Sequence, residues 1–214
     1  MTAAATKRFP RPGFLGSAEP SFGIAREGWP LVLLAAALAV LCLLAGWLVP
    51  AAIALVAVGL SVLYFREPGG EFPATPSGIY APLSGRVMST RRVCKGPLGA
   101  PALRLRLRVS WFRGYALRAP VDGQVREPAR PHVRGVGWLQ TVSGADVVMV
   151  PKAGYAGRGS ILRMSFGQRV GQARRVGLRR ALRVVDVYVP TDSEVRAVVG
   201  TRTVAGRTVL ASLS

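Results

Sequence analysis

From Leu31 to Phe65 the chain carries no charged residue. As one straight helix this run would reach about 50 Å, against roughly 30 Å of bilayer hydrocarbon. The stretch Gly46 to Pro50 offers a break, because the residue before a proline is disfavoured in helix. The run therefore predicts two short helices, about residues 30–49 and 51–65, folded back as a membrane hairpin. The second is short for a full span, so a re-entrant or shallow hairpin stays open. A cleaved secretory signal is disfavoured by the residues ahead of the run and by its length. Lys7, Arg8, Arg11 and Arg26 precede the run and Arg66 follows it. Basic flanks on both sides place both ends in the cytoplasm, which a hairpin allows and a single span does not. The expected organisation is an N-terminal cytoplasmic segment (1–29), the hairpin (30–65) and one further domain (66–214).

The formal net charge is +19, from 29 basic and 10 acidic residues. Most of the excess follows residue 85, and such a surface favours polyanions, either anionic lipid headgroups or nucleic acid. A basic segment beside a bilayer gains roughly 1 kcal/mol per Lys or Arg from anionic lipid, so the apolar run tips the reading towards lipid. Cys42 and Cys94 make no disulfide framework or metal spacing. His132 is the one histidine, so a histidine-based metal site or a Ser-His-Asp triad would rest on it alone. No metal is expected.

From residue 73 onward, short Val-, Leu- and Arg-rich runs alternate with Gly and Pro. Residues 103–109, 136–142, 146–150, 184–189 and 203–213 read as strands, several with period-two alternation. Residues 167–180, basic and interrupted by glycine, read as loop. A mostly-β (α+β) domain is expected. Ala81-Pro-Leu-Ser-Gly-Arg-Val87 and Ala119-Pro-Val-Asp-Gly-Gln-Val125 share the pattern A-P-x-x-G-x-V. Each looks like a turn leading into a strand. Neither turn has the lysine that a lipoyl or biotinyl carrier would modify.

Residues Gly177 to Pro190 read GLRRALRVVDVYVP. This resembles the self-cleavage stretch of small bacterial phosphatidylserine decarboxylases, which reads close to GLIRFGSRVDVYLP. Ala25–Pro30 resembles that family's lead-in to its membrane segment, and Tyr64–Pro68 its F-F-R-D-P box. Ala81–Val87 sits where the family has S-P-A-D-G-x-V, and Ser110–Gly123 where it has F-N-V-H-V-N-R-x-P-x-x-G. Gly200, Ala205-Gly206 and Thr208–Ala211 resemble its closing segment. The resemblance covers about residues 25 to 213. It implies a pyruvoyl-dependent carboxy-lyase of phospholipid metabolism, in which a Gly-Ser bond breaks itself and the Ser becomes the pyruvoyl group.

The same resemblance places Leu182 at the Gly, Arg183 at the Ser, Ser84 at the Asp, Tyr115 at the His and Leu117 at the Asn of the family's motifs. Pro82, Gly85, Arg118, Pro120, Asp186 and Pro190 match the framework. Self-cleavage needs a β-hydroxyl or thiol activated by a base. Arg183 has neither group and stays protonated. Tyr115 is a poor base, since an unperturbed phenol titrates at about 10. Without pyruvoyl there is no electron sink for the carbanion left by CO₂, so no cofactor is expected unless cleavage occurs. Gly16-Ser17 lies ahead of the apolar run, and Gly159-Ser160 is the alternative cleavage candidate.

Three functions follow from this reading. The first is a non-catalytic homologue at a bacterial inner membrane, its domain on the cytoplasmic side. It would bind anionic phospholipid through Arg118 and Arg183, or pair with itself or with an active decarboxylase. The second is an active phosphatidylserine decarboxylase making phosphatidylethanolamine, with cleavage at a site such as Ser160 or a different register around Arg183, which the gapless match from Gly177 to Pro190 argues against. The third, a membrane-tethered nucleic-acid binder, ranks last because aromatics are sparse among the arginines.

Overall fold

The computed structural model describes residues 22–68, 75, 77–94, 96–110, 114–127, 136–153, 160–179 and 182–213. Lys7, Arg8, Arg11, Gly16-Ser17, His132 and Gly159 lie outside the described residues. The fold is mostly β with two helices. Strand β1 (Phe22–Ile24) leads through a short 3-10 turn (Arg26–Gly28) into α1 (Trp29–Leu44) and α2 (Leu48–Phe65), and β2 (Arg66–Pro68) follows at once. Strands β1 and β2 pair antiparallel, Ile24 opposite Arg66, so the start of α1 and the end of α2 are tied together.

The turn between the helices is at residues 45–47, slightly ahead of the expected break. Gly46 takes a φ of 75°. Its N–H donates to the Leu43 carbonyl at 3.1 Å, and the Trp47 N–H reaches back to the Cys42 carbonyl at 2.8 Å. These two bonds close α1 around a left-handed glycine, which no residue with a Cβ adopts as cheaply. Pro50 lies inside the first turn of α2, where its missing N–H would have had no helical partner. The helices meet through small residues, with Ala39 and Cys42 of α1 and Ala51 and Ala54 of α2 buried. Small side chains let two backbones approach closely. The large residues, among them Leu34, Leu41, Leu44, Ile53 and Val56, point outward and are exposed. Helix α2 is long and apolar enough to cross a membrane; α1 is shorter and equally apolar.

The remaining strands are β3 (Gly78–Tyr80), β4 (Gly85–Val93), β5 (Ala102–Val109), β6 (Ala116–Arg118), β7 (Gly123–Arg126), β8 (Gly137–Gln140), β9 (Asp146–Ala153), β10 (Ser160–Leu162), β11 (Arg169–Val170), β12 (Arg175–Arg179), β13 (Leu182–Pro190), β14 (Glu194–Val195), β15 (Arg202–Thr203) and β16 (Val209–Ser212). An eight-stranded antiparallel sheet runs in the order β11-β7-β8-β9-β13-β5-β4-β15. Two three-stranded sheets, β10-β12-β6 and β14-β16-β3, accompany it. The expected strands are present. The stretch read as loop, 167–180, instead supplies β11 and β12: Arg169 and Arg174 are exposed while Val170, Val176 and Leu178 are buried, and alternation outweighs the glycines. The stretch 203–213 is divided by a turn between β15 and β16.

The main core lies on one face of the large sheet, and a smaller buried cluster of Ala102, Trp138, Val148 and Tyr188 lies on the other. Leu103, Leu105 and Leu107 of β5 alternate inward with Val185, Val187 and Val189 of β13 and Met149 of β9. The intervening arginines of β5 face outward, as a half-buried strand requires.

The two A-P-x-x-G-x-V segments occupy equivalent places. The Tyr80 N–H donates to the Pro120 carbonyl at 2.8 Å, and the Arg118 N–H returns the bond to the Pro82 carbonyl at 2.9 Å. Val87 and Val125 donate to the Thr201 and Gln168 carbonyls and accept from the Gly200 and Gly167 N–H groups. Ala81 and Ala119 accept from Gly206 and Ala173. A Cβ on Gly85 would meet the Arg108 carbonyl oxygen, and one on Gly123 the Gln140 carbonyl oxygen. The weak sequence echo is a structural repeat, in which both glycines permit a strand crossing too tight for a side chain.

Candidate functional site

The family resemblance assigns its key positions to Ser84, Tyr115, Leu182 and Arg183. Tyr115 is buried between the domain and the base of the helices. Its ring centroid lies 4.9 Å from that of Phe65 and 5.7 Å from that of Tyr64. Ala25 and Leu178 complete the cluster. The Ala25 N–H donates to the Phe65 carbonyl at 2.9 Å, and a Cβ on Gly28 would fall on the Phe65 ring. Glu27, in the same short turn, receives Arg175 Nη2 at 2.6 Å, with Arg163 3.8 Å from its other oxygen. Partial burial works to raise the Glu27 carboxyl, but the Arg175 hydrogen bond and the neighbouring positive charges hold it below its ordinary value.

Ser84 is 2% exposed. Its Oγ accepts the Ala205 N–H at 3.1 Å, and its carbonyl accepts the Ser110 N–H at 3.0 Å. Arg183 is exposed, next to buried Leu182 at the start of β13. The strand ends align: Gly85 is opposite Val109, and Val184 is opposite Arg108. Ser84 and Arg183 therefore belong to the same end of the large sheet. Tyr115 belongs to the neighbouring sheet, where Ala116 pairs with Leu178. Leu117 is fully buried.

Arg118 is 2% exposed, and its Nη1 donates to the Ala173 carbonyl at 2.9 Å. Ala173 has a φ of 59°, the one non-glycine residue with positive φ among those described. Ser160 opens β10 opposite Arg179.

Asp186, a framework match, is the best-defined polar group. It is fully buried beneath Arg106, whose Nε and Nη2 donate to its two oxygens at 2.8 and 3.0 Å. Lys152 Nζ lies 2.9 Å from the second oxygen. Burial alone would raise this carboxyl, but hydrogen bonds from Arg106 and Lys152 outweigh it and hold the group below its ordinary value.

A cleft of about 360 Å³ opens beside Ser84, lined by Gly85, Arg86, Arg108, Ser110, Arg202 and Thr203 among others. Sequence reasoning missed this cleft, the Glu27–Arg175 pair and the Tyr115 aromatic cluster. The alternating Arg104, Arg106 and Arg108 were a signal for a basic sheet face; which strands face each other is not written locally.

No family model matches this sequence. It is 30% identical over 204 residues to the phosphatidylserine decarboxylase proenzyme of Nitrosomonas europaea, covering 88% of this chain and 94% of the relative. It is 30% identical over 210 residues to the protein of that name from Burkholderia ambifaria, covering 89% and 96%. Among solved structures, the glucose permease IIA of Mycoplasma capricolum is similar at 15% identity with a TM-score of 0.45, over 66% of this chain and 98% of that one. With nearly the whole length of these relatives matched at 30% identity, and with the strand order holding the motifs in place, the chain belongs to the phosphatidylserine decarboxylase family.

Proposed function

We propose that this protein is a membrane-anchored member of the family that does not cleave itself, makes no pyruvoyl group and binds anionic phospholipid or an active partner. One observation carries the reading: the Gly-Ser pair of the motif is replaced by Leu182-Arg183 in an otherwise gapless match. Arg183 has no hydroxyl to attack the preceding carbonyl, so the residues present do not fit a self-made pyruvoyl. Its exposed guanidinium suits a phosphate or carboxylate instead. Arg118 is the second candidate, through the Ala173 turn that its guanidinium holds in place.

Membrane anchoring rests on the helices. Their outward faces are leucine-, valine- and isoleucine-rich, and 18 residues of α2 span about 27 Å, close to hydrocarbon thickness. Trp29 at the base and Trp47 at the turn, both exposed, suit the two interfaces. The basic domain at the base favours the cytoplasmic side of a bacterial inner membrane.

The names of the relatives favour a second reading, an active decarboxylase making phosphatidylethanolamine. It needs a relocated cleavage bond, and Gly159-Ser160 is the one Gly-Ser pair in the domain. The test is the intact mass of the detergent-purified protein beside a denaturing gel. A single full-length species is the expected result. Two fragments, the smaller with a pyruvoyl N-terminus, would overturn it, and their masses would identify the bond.

A further inference from the structure

We propose that Arg86, Arg108 and Arg202 form a phosphate-binding site whose ligand is a phosphomonoester, carried on a lipid headgroup or free in solution. The site deepens the lipid-binding part of the function proposed above. Its test does not depend on whether the chain cleaves itself.

The three arginines stand in one cross-strand row. Arg202 of β15 is directly opposite Arg86 of β4, and Arg86 is directly opposite Arg108 of β5. Directly opposed residues of antiparallel strands share a face. With adjacent strands about 4.8 Å apart, three guanidinium groups fall within about 10 Å of backbone. All three are exposed and all line the cleft. Among the described residues no carboxylate pairs with any of them, whereas Arg106 on the next rung takes both oxygens of Asp186. Like charges directly opposed destabilise a sheet, so this row costs the fold stability until an anion enters.

The internal repeat shows that the fold does not require the row. The equivalent row in the other half runs Arg169, Gln124, Gln140 and then Asp146. There Gln124 and Gln140 donate to the Gly167 and Gly144 carbonyls at 3.0 and 3.3 Å. One half thus carries a balanced row, and the other carries three adjacent cations ending at Val184 and Lys152. The cationic half opens as a cleft.

Arginine forks bind phosphate oxygens bidentately, and several forks suit a group with three terminal oxygens. A monoester has these three and a charge of about −1.5 to −2 at neutral pH. A diester offers two oxygens and one charge, and so satisfies fewer of the forks.

The experiment uses the full chain in detergent and measures binding of three probes: inorganic phosphate, a short-chain diacylglycerol phosphate, and a phosphodiester lipid with the same chains. The variant is R86Q/R108Q, which installs side chains that the other half of the fold already accommodates. The control is R91Q/R92Q, which removes equal charge from the exposed far end of β4. We expect the wild type to prefer the monoester lipid to the diester by about tenfold or more. R86Q/R108Q should lose that preference, and R91Q/R92Q should keep it. Tighter binding of the lipid than of inorganic phosphate identifies the lipid source; equal binding identifies a soluble phosphate ester. The proposal is overturned if monoester and diester bind alike. It is also overturned if both variants lose the same affinity, since that would be diffuse attraction.

Discussion

The Tyr115 ring packs 4.9 Å from the Phe65 ring, so the residue that the family resemblance puts at the histidine position is part of the joint between domain and helices. A buried aromatic in such a joint contributes mainly through its area. Truncating Tyr115 to Ala should cost about 3 kcal/mol. Protease accessibility at the segment around Ala25 should rise in parallel, since Ala25 shares the cluster. Unchanged melting and unchanged proteolysis would show that the joint is not held there.

Restoring the family residues tests whether the scaffold is still competent. The fourfold variant S84D/Y115H/L182G/R183S should produce fragments 1–182 and 183–214 on a denaturing gel. A carboxylate at position 84 could accept the Ala205 N–H that Ser84 Oγ now accepts. R183S alone should stay intact, because no base accompanies the hydroxyl. A fourfold variant that folds and stays intact would show that the backbone, and not only the side chains, has departed from the cleaving geometry.

Asp186 and Glu27 both make the fold acid-sensitive. Their folded carboxyls titrate below their unfolded values. The sign follows: the stabilisation is complete above the ordinary carboxylate range of about 4, and is lost as pH falls through the lowered folded values. The thermal midpoint should therefore fall on acidification below about pH 4. Asp186→Asn should cost about 2–3 kcal/mol at neutral pH and flatten that dependence. Glu27→Gln should cost about 0.5–1 kcal/mol, because its pair with Arg175 is partly exposed. An acid limb unchanged in Asp186→Asn would assign the sensitivity elsewhere.

Ala173 and Gly206 occupy equivalent places in the repeat, with φ of 59° and 70°. The alanine carries a Cβ through a conformation that glycine adopts freely. Ala173→Gly should stabilise the protein by about 0.5–1 kcal/mol, read as a higher denaturant midpoint. Gly206→Ala should do the reverse. A destabilised Ala173→Gly would mean that the methyl group, which is buried, contributes more by packing than it costs in strain.

Local chemistry made much of this protein legible in its sequence. An uncharged run of this length forms helices, because a helix satisfies its own backbone in an apolar setting and a barrel strand would alternate polar with apolar. Alternating Leu and Arg on residues 103–108 require a sheet with one wet face. The unbroken match from Gly177 to Pro190 identified the family, and the resemblance puts Leu182-Arg183 at its Gly-Ser pair. Long-range pairing decided the rest. The glycines and arginines of 167–180 look like loop until β11 and β12 find partners on β7 and β6. Arg86, Arg108 and Arg202 are scattered in sequence and become a row only through strand register. Tyr115 meets Phe65 only where the helix ends reach the domain, at the Ala25–Leu178 cluster and the Glu27–Arg175 pair. A sequence records which side chains are available; the hydrogen-bond register of distant strands sets which of them stand opposite one another.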